Sequence, residues 1–262
     1  MYDGNSYFTL TIKNNSGGTA NETPLSPGSW SVSYIAGDAL LNPTPIYAKG
    51  QPTFSRLTSF AEAGDNPGMT SYLAYNTGIF TPLSPVLVVI YTGNVNPVYV
   101  TGENDRGEGL KDLAQKGNAD ILAAALKNKP DVKAVYVLPA PTTKVLLPSV
   151  GGAPGGLVSQ GLSVVPGDRL AIATMYGFSN DWFFTTMDNG VDATQAADIS
   201  DMIALYDNGT AINQFRGAGI KQYNLAGTPL VESQKIAAVP KLNGFTTLPP
   251  VKNIIRVILT GK

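Results

Sequence analysis

Histidine and cysteine are both absent from this chain of 262 residues. Without cysteine there are no disulfides, no thiolate nucleophile and no cysteine metal site. Without histidine, the usual zinc sites, the Ser/His/Asp and Cys/His nucleophile systems and histidine acid–base steps near neutral pH are excluded. Charge is scarce too: charged residues make up 14%, the formal net charge is −1, and no run of Lys or Arg forms the basic stripe that phosphate binding requires. Nucleic acid is therefore not an expected partner. Long apolar runs are also missing, because nothing approaches the roughly 18 residues of a membrane span. The longest stretch, "VLVVIY" at Val86–Tyr91, has the length of a buried strand.

What is present points to β structure. A hydrophobic content of 43% can supply a substantial core, while 28 Gly and 19 Pro, scattered along the chain, interrupt helices and favour short strands joined by turns. The pattern predicts strands over 7–13, 30–35, 85–91, 132–137, 143–147, 162–165, 169–176, 201–206 and 253–259. The last of these, "NIIRVILT", reads as a closing strand. The start, "MYDGNSYF", carries no basic and apolar leader, so the expectation is either a cytoplasmic chain or a mature form whose signal was removed, and the low charge with high Gly, Pro, Thr and Asn is similar to exported bacterial β proteins.

Two segments depart from the β pattern, "LTSFAEAGDNPGMTSYL" at 57–73 and "LKDLAQKGNADILAAAL" at 110–126. Their Leu, Ala and Gly fall at matching positions with helical spacing in the first turns. Upstream of each stands "TPLSP", at Thr23–Pro27 and Thr81–Pro85. Ordered recurrence of two features predicts a duplicated strand–loop–helix unit. The expected organisation is an N-terminal copy over 1–75 and a main domain over 76–262.

Motifs for nucleotide chemistry do not hold up. The run "SVGGAPGGLVSQG" lacks a Gly-Lys-Ser/Thr ending, and Ser159 and Ser179 stand in no GxSxG elbow. Acidic and amide side chains gather instead in "SNDWFFTTMDNGVDATQAADISDMIALYDNGT", which holds Asp181, Asp188, Asp192, Asp198, Asp201 and Asp207. Calcium takes about six to eight oxygen ligands, and loops at a sheet end can deliver them. The competing reading is purely conformational: Asn189-Gly190 and Asn208-Gly209 suit type I′ turns with positive φ at both central positions.

The succession "FTPLSPVLVVIY", "LKDLAQKGNADILAAAL", "SNDWFF", "LYDNGTAINQ" and "VKNIIRVILT" resembles the Spondin_N domain in its bacterial form, over about residues 76 to 262. The resemblance implies an all-β fold, an antiparallel β-sandwich of C2-like, spondin type with one or two short helices in its connections. It also implies an extracellular or cell-surface setting and Ca2+ held by loops at one end. The acidic residue of the family's "DW" pair corresponds to Asp181, and the first acidic residue of its "DAGT" loop to Asp207. Where the family places a second carboxylate, this chain has Ala211, so Asp188 and Asn213 are the candidate compensating ligands beside Asp181 and Asp207.

The function expected from the resemblance and from the poverty of catalytic groups is a non-enzymatic binding or adhesion module. Its partners would be an extracellular matrix or cell-surface ligand, carbohydrate included, with Trp30 and Trp182 as candidate stacking platforms. The alternatives are a self-assembling subunit, a homo-oligomer or filament, and a glycoside hydrolase using two of Asp181, Asp188 and Asp207 about 5 to 10 Å apart.

Overall fold

A computed structural model describes residues 10–29, 35–36, 39–40, 47, 49–76, 82–138, 145–148, 155–213, 227–241 and 248–261. The chain divides into two compact units, Gly4–Ile79 and Phe80–Lys262 together with Met1–Asp3.

In the first unit β1 (Ile35–Ala36) pairs antiparallel with β2 (Ala39–Leu40), followed by α1 (Ser55–Ala63) and α2 (Asn66–Asn76). The second unit contains β3 (Val86–Tyr91), α3 (Leu110–Lys116), α4 (Asp120–Lys127), β4 (Val132–Leu138), β5 (Arg169–Met175) and β6 (Trp182–Thr186). It continues with β7 (Val191–Asp192), β8 (Ala197–Asp198), β9 (Ile203–Asp207), β10 (Ala237–Ala238) and β11 (Ile258–Leu259).

Seven of these strands form one antiparallel sheet in the order β10-β9-β6-β5-β3-β4, with β7 beside β5. Side chains alternate across it. Leu87, Val89, Ala171, Ala173, Phe183 and Tyr206 face a layer made by α3 and α4. Val88, Ile90, Ile172, Phe184 and Leu205 face the opposite way, against Leu248, Ile255 and the chain around β8 and β11. The architecture is all-β and sandwich-like, as expected, with short helices on one face. Because β3 lies between β5 and β4 and is covered on both faces, every residue of "VLVVIY" is buried, which is why it is apolar throughout rather than alternating.

Each predicted helical segment is two helices broken at a glycine. Gly64 (φ 67°) and Gly117 (φ 71°) both take the left-handed conformation that favours glycine, and both end their helices by the same pair of bonds. Gly64 N–H donates to Phe60 O (3.0 Å) and Asp65 N–H to Ser59 O (3.3 Å); Gly117 N–H donates to Leu113 O (2.9 Å) and Asn118 N–H to Asp112 O (3.2 Å). The second helices bury Met69 and Leu73 in one copy and Leu122 and Leu126, at the matching positions, in the other. The two helical segments thus share a glycine break and buried positions at matching places. The strand expected after the first "TPLSP" lies mostly outside the described residues.

Several strand expectations are corrected. Residues 10–13 form no strand, and the rest of the 7–13 segment lies outside the described residues. Leu162 and Val164 pack against the sheet while Ser163 and Val165 are exposed, yet among the described residues no neighbour supplies a ladder, so 162–165 is not a strand. Of 253–259 only Ile258 and Leu259 pair, because β8 offers only two residues to pair with. In the 143–147 region the described residues contribute a single bridge, Leu83 to Leu146. β6 was not anticipated at all.

Candidate functional site at one end of the sheet

Strand register places the candidate residues. β6 and β9 are antiparallel neighbours with Trp182 opposite Asp207, so Asp181, just before β6, lies beside Asn208, just after β9. Asn208 N–H donates to Asp181 O at 3.2 Å. Two residues far apart in sequence therefore meet at one end of the sheet.

Asp181 has no exposed surface. Its Oδ2 accepts from Thr210 N–H (2.6 Å), Thr210 Oγ1–H (2.9 Å) and Ala211 N–H (2.9 Å), and its Oδ1 accepts from Asn180 Nδ2 (2.6 Å). Asp207 Oδ1 accepts from Gly209 N–H (2.7 Å), and its Oδ2 accepts from Asn213 Nδ2. Asn213 Oδ1 in turn accepts from Trp182 Nε1 (2.6 Å) and Asn180 Nδ2 (3.0 Å). The two carboxylates are thus tied into one network through two asparagines.

Electrostatics in this network are strained. Burial, and then the negative charge of Asp207, push the Asp181 carboxyl well above its usual range, against the opposing pull of the Thr210 and Ala211 donors. Asn180 and Asn208 are both buried, and among the described residues the Oδ1 of each has no hydrogen-bond partner. A buried amide oxygen left unpaired costs about 1–3 kcal/mol unless some other group meets it.

Asp188 does not belong here, which corrects its assignment as a compensating ligand. It lies past the far end of β6, in the turn before β7, where its Oδ1 accepts from Thr101 Oγ1 (2.5 Å). The five residues of β6 lie between it and Asp181 and alone span about 17 Å at the usual strand rise. Neither pair containing Asp188 can therefore flank a glycosidic bond, which needs carboxyl groups within about 10 Å. Trp182 is buried in the core at 2% exposure, so it is no stacking platform, and Trp30 lies outside the described residues.

The turn chemistry also differs from expectation. Among the described non-glycine residues only Phe178 has positive φ, so Asn208 and Asn189 do not, and neither Asn-Gly pair forms a type I′ turn. In each pair only the glycine is left-handed, Gly190 at φ 61° and Gly209 at φ 68°, and the Asp207 carboxylate accepts the Gly209 N–H. A Cβ at Gly209 would stand 2.5 Å from Gln234 O, because the 230–234 segment runs antiparallel against 209–212. The described part of this loop, 205–213, is thus not a hairpin, since the strand paired with β9 beyond β6 is the distant β10.

Sequence reasoning missed several participants. Asn180 joins Asp181 to Asn213, and Gln115, buried on α3, donates to Thr210 Oγ1 at 3.0 Å. Asn208 Nδ2 donates to Asp105 Oδ2 at 3.0 Å. Glu232, next to the Ala211–Val231 bridge, has its carboxyl raised by burial and then by the charge of Asp207. Among these only Asn180 carried a signal, its place before the "DW" pair. Among the described residues no three His, Cys, Asp or Glu side chains converge as a metal-binding group, so a cation here would rely on amides as well as carboxylates. No family model matches the chain, and no curated protein matches it.

Proposed function

We propose that this chain is a non-enzymatic binding or adhesion module of the extracellular space or cell surface, with a weak calcium site at the Asp181–Asp207 end of its sheet. The observation that carries the reading is the buried, unpartnered Oδ1 of Asn180 within a network that already holds two carboxylates. Asp181, Asp207 and Asn213, joined by the Asn180 oxygen, are the residues that would hold the ion. They fit a hard cation because every donor is oxygen, and they fit it weakly because only two carry charge. A bound cation would neutralise the repulsion between Asp181 and Asp207 and stiffen the loops that follow β5 and β9.

The resemblance to the Spondin_N domain supports the same reading through Asp181 and Asp207. It also supports the partner class, an extracellular matrix or cell-surface ligand, carbohydrate included. Calcium titration followed by thermal unfolding tests the site, since a ligand that binds only the folded state raises stability once its concentration passes the dissociation constant. We expect a shift at about millimolar calcium that Asp207→Ala abolishes and Ala211→Asp moves to lower concentration. No shift up to about 10 mM would remove calcium from the account.

A second reading, a self-assembling subunit, is favoured by a separate observation. β4, seven residues long with a bulge at Lys133, ends the sheet, and among the described residues it pairs with β3 alone.

A further inference from the structure

Every ion pair among the described residues draws its acid from Glu108, Asp112, Asp168, Asp198 or Asp201. Asp181, Asp207 and Glu232 have no such partner there, although strand pairing brings all three to the same end of the sheet. Carboxylates gathered without a counter-charge repel one another, and burial strengthens the repulsion.

Register fixes the side on which Glu232 lies. The antiparallel bridge Ala211–Val231 is flanked by Ile212 N–H donating to Leu230 O (2.8 Å) and by Glu232 N–H donating to Thr210 O (3.3 Å). Glu232 therefore stands opposite Thr210, and residues opposite one another on antiparallel segments share a face. On that face the Thr210 hydroxyl donates to Asp181 Oδ2 at 2.9 Å. Burial, and next the charge of Asp207, raise the Glu232 carboxyl, so the two acids sense each other. Among the described residues the Glu232 carboxylate makes no hydrogen bond and no ion pair.

We propose that Glu232 is the third carboxylate of the cation site, closing over an ion held by Asp181, Asp207 and Asn213. The proposal rests on the cation reading above and adds one residue and one charge to it. A second observation points to a ligand at the same place: the buried Asn180 Oδ1 is unpartnered among the described residues, while its Nδ2 spans Asp181 Oδ1, Ala211 O and Asn213 Oδ1. Three carboxylates select a multivalent hard cation over sodium or potassium, because only a multivalent ion offsets most of their charge. Glu232 also brings, from the segment paired with 209–212, the charge that Ala211 does not carry. The three acids do not converge as a metal-binding group in this structure, so the Glu232 side chain turns toward Asp207 as the ion binds. No hydrogen bond among the described residues has to break for it to do so.

Terbium and europium, which take the same oxygen ligands as calcium, test this on the intact chain. Trp182 Nε1 donates to Asn213 Oδ1 (2.6 Å), so Trp182 should sensitise terbium bound there, and a Trp30→Phe background leaves it the single Trp. Terbium titration gives the affinity, and europium luminescence lifetimes in water and in deuterium oxide count the waters left on the ion. We expect Glu232→Gln to weaken binding at least about tenfold and Glu232→Ala to leave about one or two further waters on the ion. Glu103→Gln, which neutralises an exposed acid on the segment bonded to Ile236, should change neither reading. Unchanged affinity and water count in both Glu232 variants, with binding still lost in Asp207→Ala, overturns the role of Glu232 and leaves the Asp181–Asp207 site standing. Equal weakening by Glu103→Gln with no change in hydration also overturns it, since charge at a distance would then be the whole effect. A parent chain that binds no terbium overturns this proposal and the cation reading together.

Discussion

Asp181→Ala removes the acceptor around which the loop after β9 is folded. Two backbone donors, Thr210 N–H and Ala211 N–H, lose the carboxylate that satisfies them in a region where Ala211 is 1% exposed. Each buried donor left unpaired costs about 1–3 kcal/mol, or about 2–6 kcal/mol together. Relief of the repulsion with Asp207 offsets part of this, so we expect a loss of about 1–4 kcal/mol, equivalent to roughly 10 °C at its upper end for the unit that carries the sheet. Asp181→Asn keeps one oxygen for Thr210 and Ala211 but turns an amide NH2, a donor, toward the Asn180 Nδ2 donor, and should cost about 1–2 kcal/mol. Urea unfolding followed by Trp182 fluorescence measures both in a Trp30→Phe background, since the chain has only 2 Trp. A loss below about 1 kcal/mol for the alanine variant, or equal losses for the two variants, would refute the hydrogen-bond account.

Other outcomes follow from the same geometry. Gly209→Ala should lose about 2–4 kcal/mol in the same assay, because left-handed φ costs roughly 1–2 kcal/mol for alanine and its Cβ meets Gln234 O at 2.5 Å; a loss below 1 kcal/mol would contradict the close approach. The raised Asp181 carboxyl favours the folded state fully below the unfolded value of about 3.9, and that contribution is lost as pH rises through the folded value. Melting temperature in EDTA should therefore fall as pH climbs above the ordinary carboxylate range, and calcium should flatten the fall; a rise over that window in EDTA would contradict the direction. Asp198 is held at about 2 by the Ser200 hydroxyl and N–H and then by Arg256, so its contribution is present above about 3.9 and lost as pH drops toward 2. Exchange at the β8–β11 pair should accelerate over that acid window, earlier in Arg256→Ala; acid-insensitive exchange would exclude the tether.

Much of the sheet was legible because burial on both faces leaves a continuous apolar run, as in Val86–Tyr91, and because β5 and β9 are strongly apolar segments bounded by turn residues. The helical repeat was legible as matching Leu and Gly positions, although that Gly64 and Gly117 split each segment in two required the φ angles. β6 escaped notice because "WFFTT" is short and flanked by acidic residues, so it reads as part of a loop. That omission propagated to the site: without β6 as a spacer, Asp188 looked as near to Asp181 as Asp207 did. Glu232 and Gln115 could not have been found, since the first arrives on a segment paired with 209–212 and the second on a helix from another layer. Neither has a local motif.

The central claim is that the loops after β5 and β9 form a cation site. Crystals grown or soaked in about 10 mM calcium, with anomalous differences collected at long wavelength, address it directly. The account predicts a peak within about 2.3–2.6 Å of oxygens from Asp181, Asp207 and Asn213, with Asn180 Oδ1 no longer unpartnered. An empty map at these loops, with the Asp181 network unchanged, would contradict it.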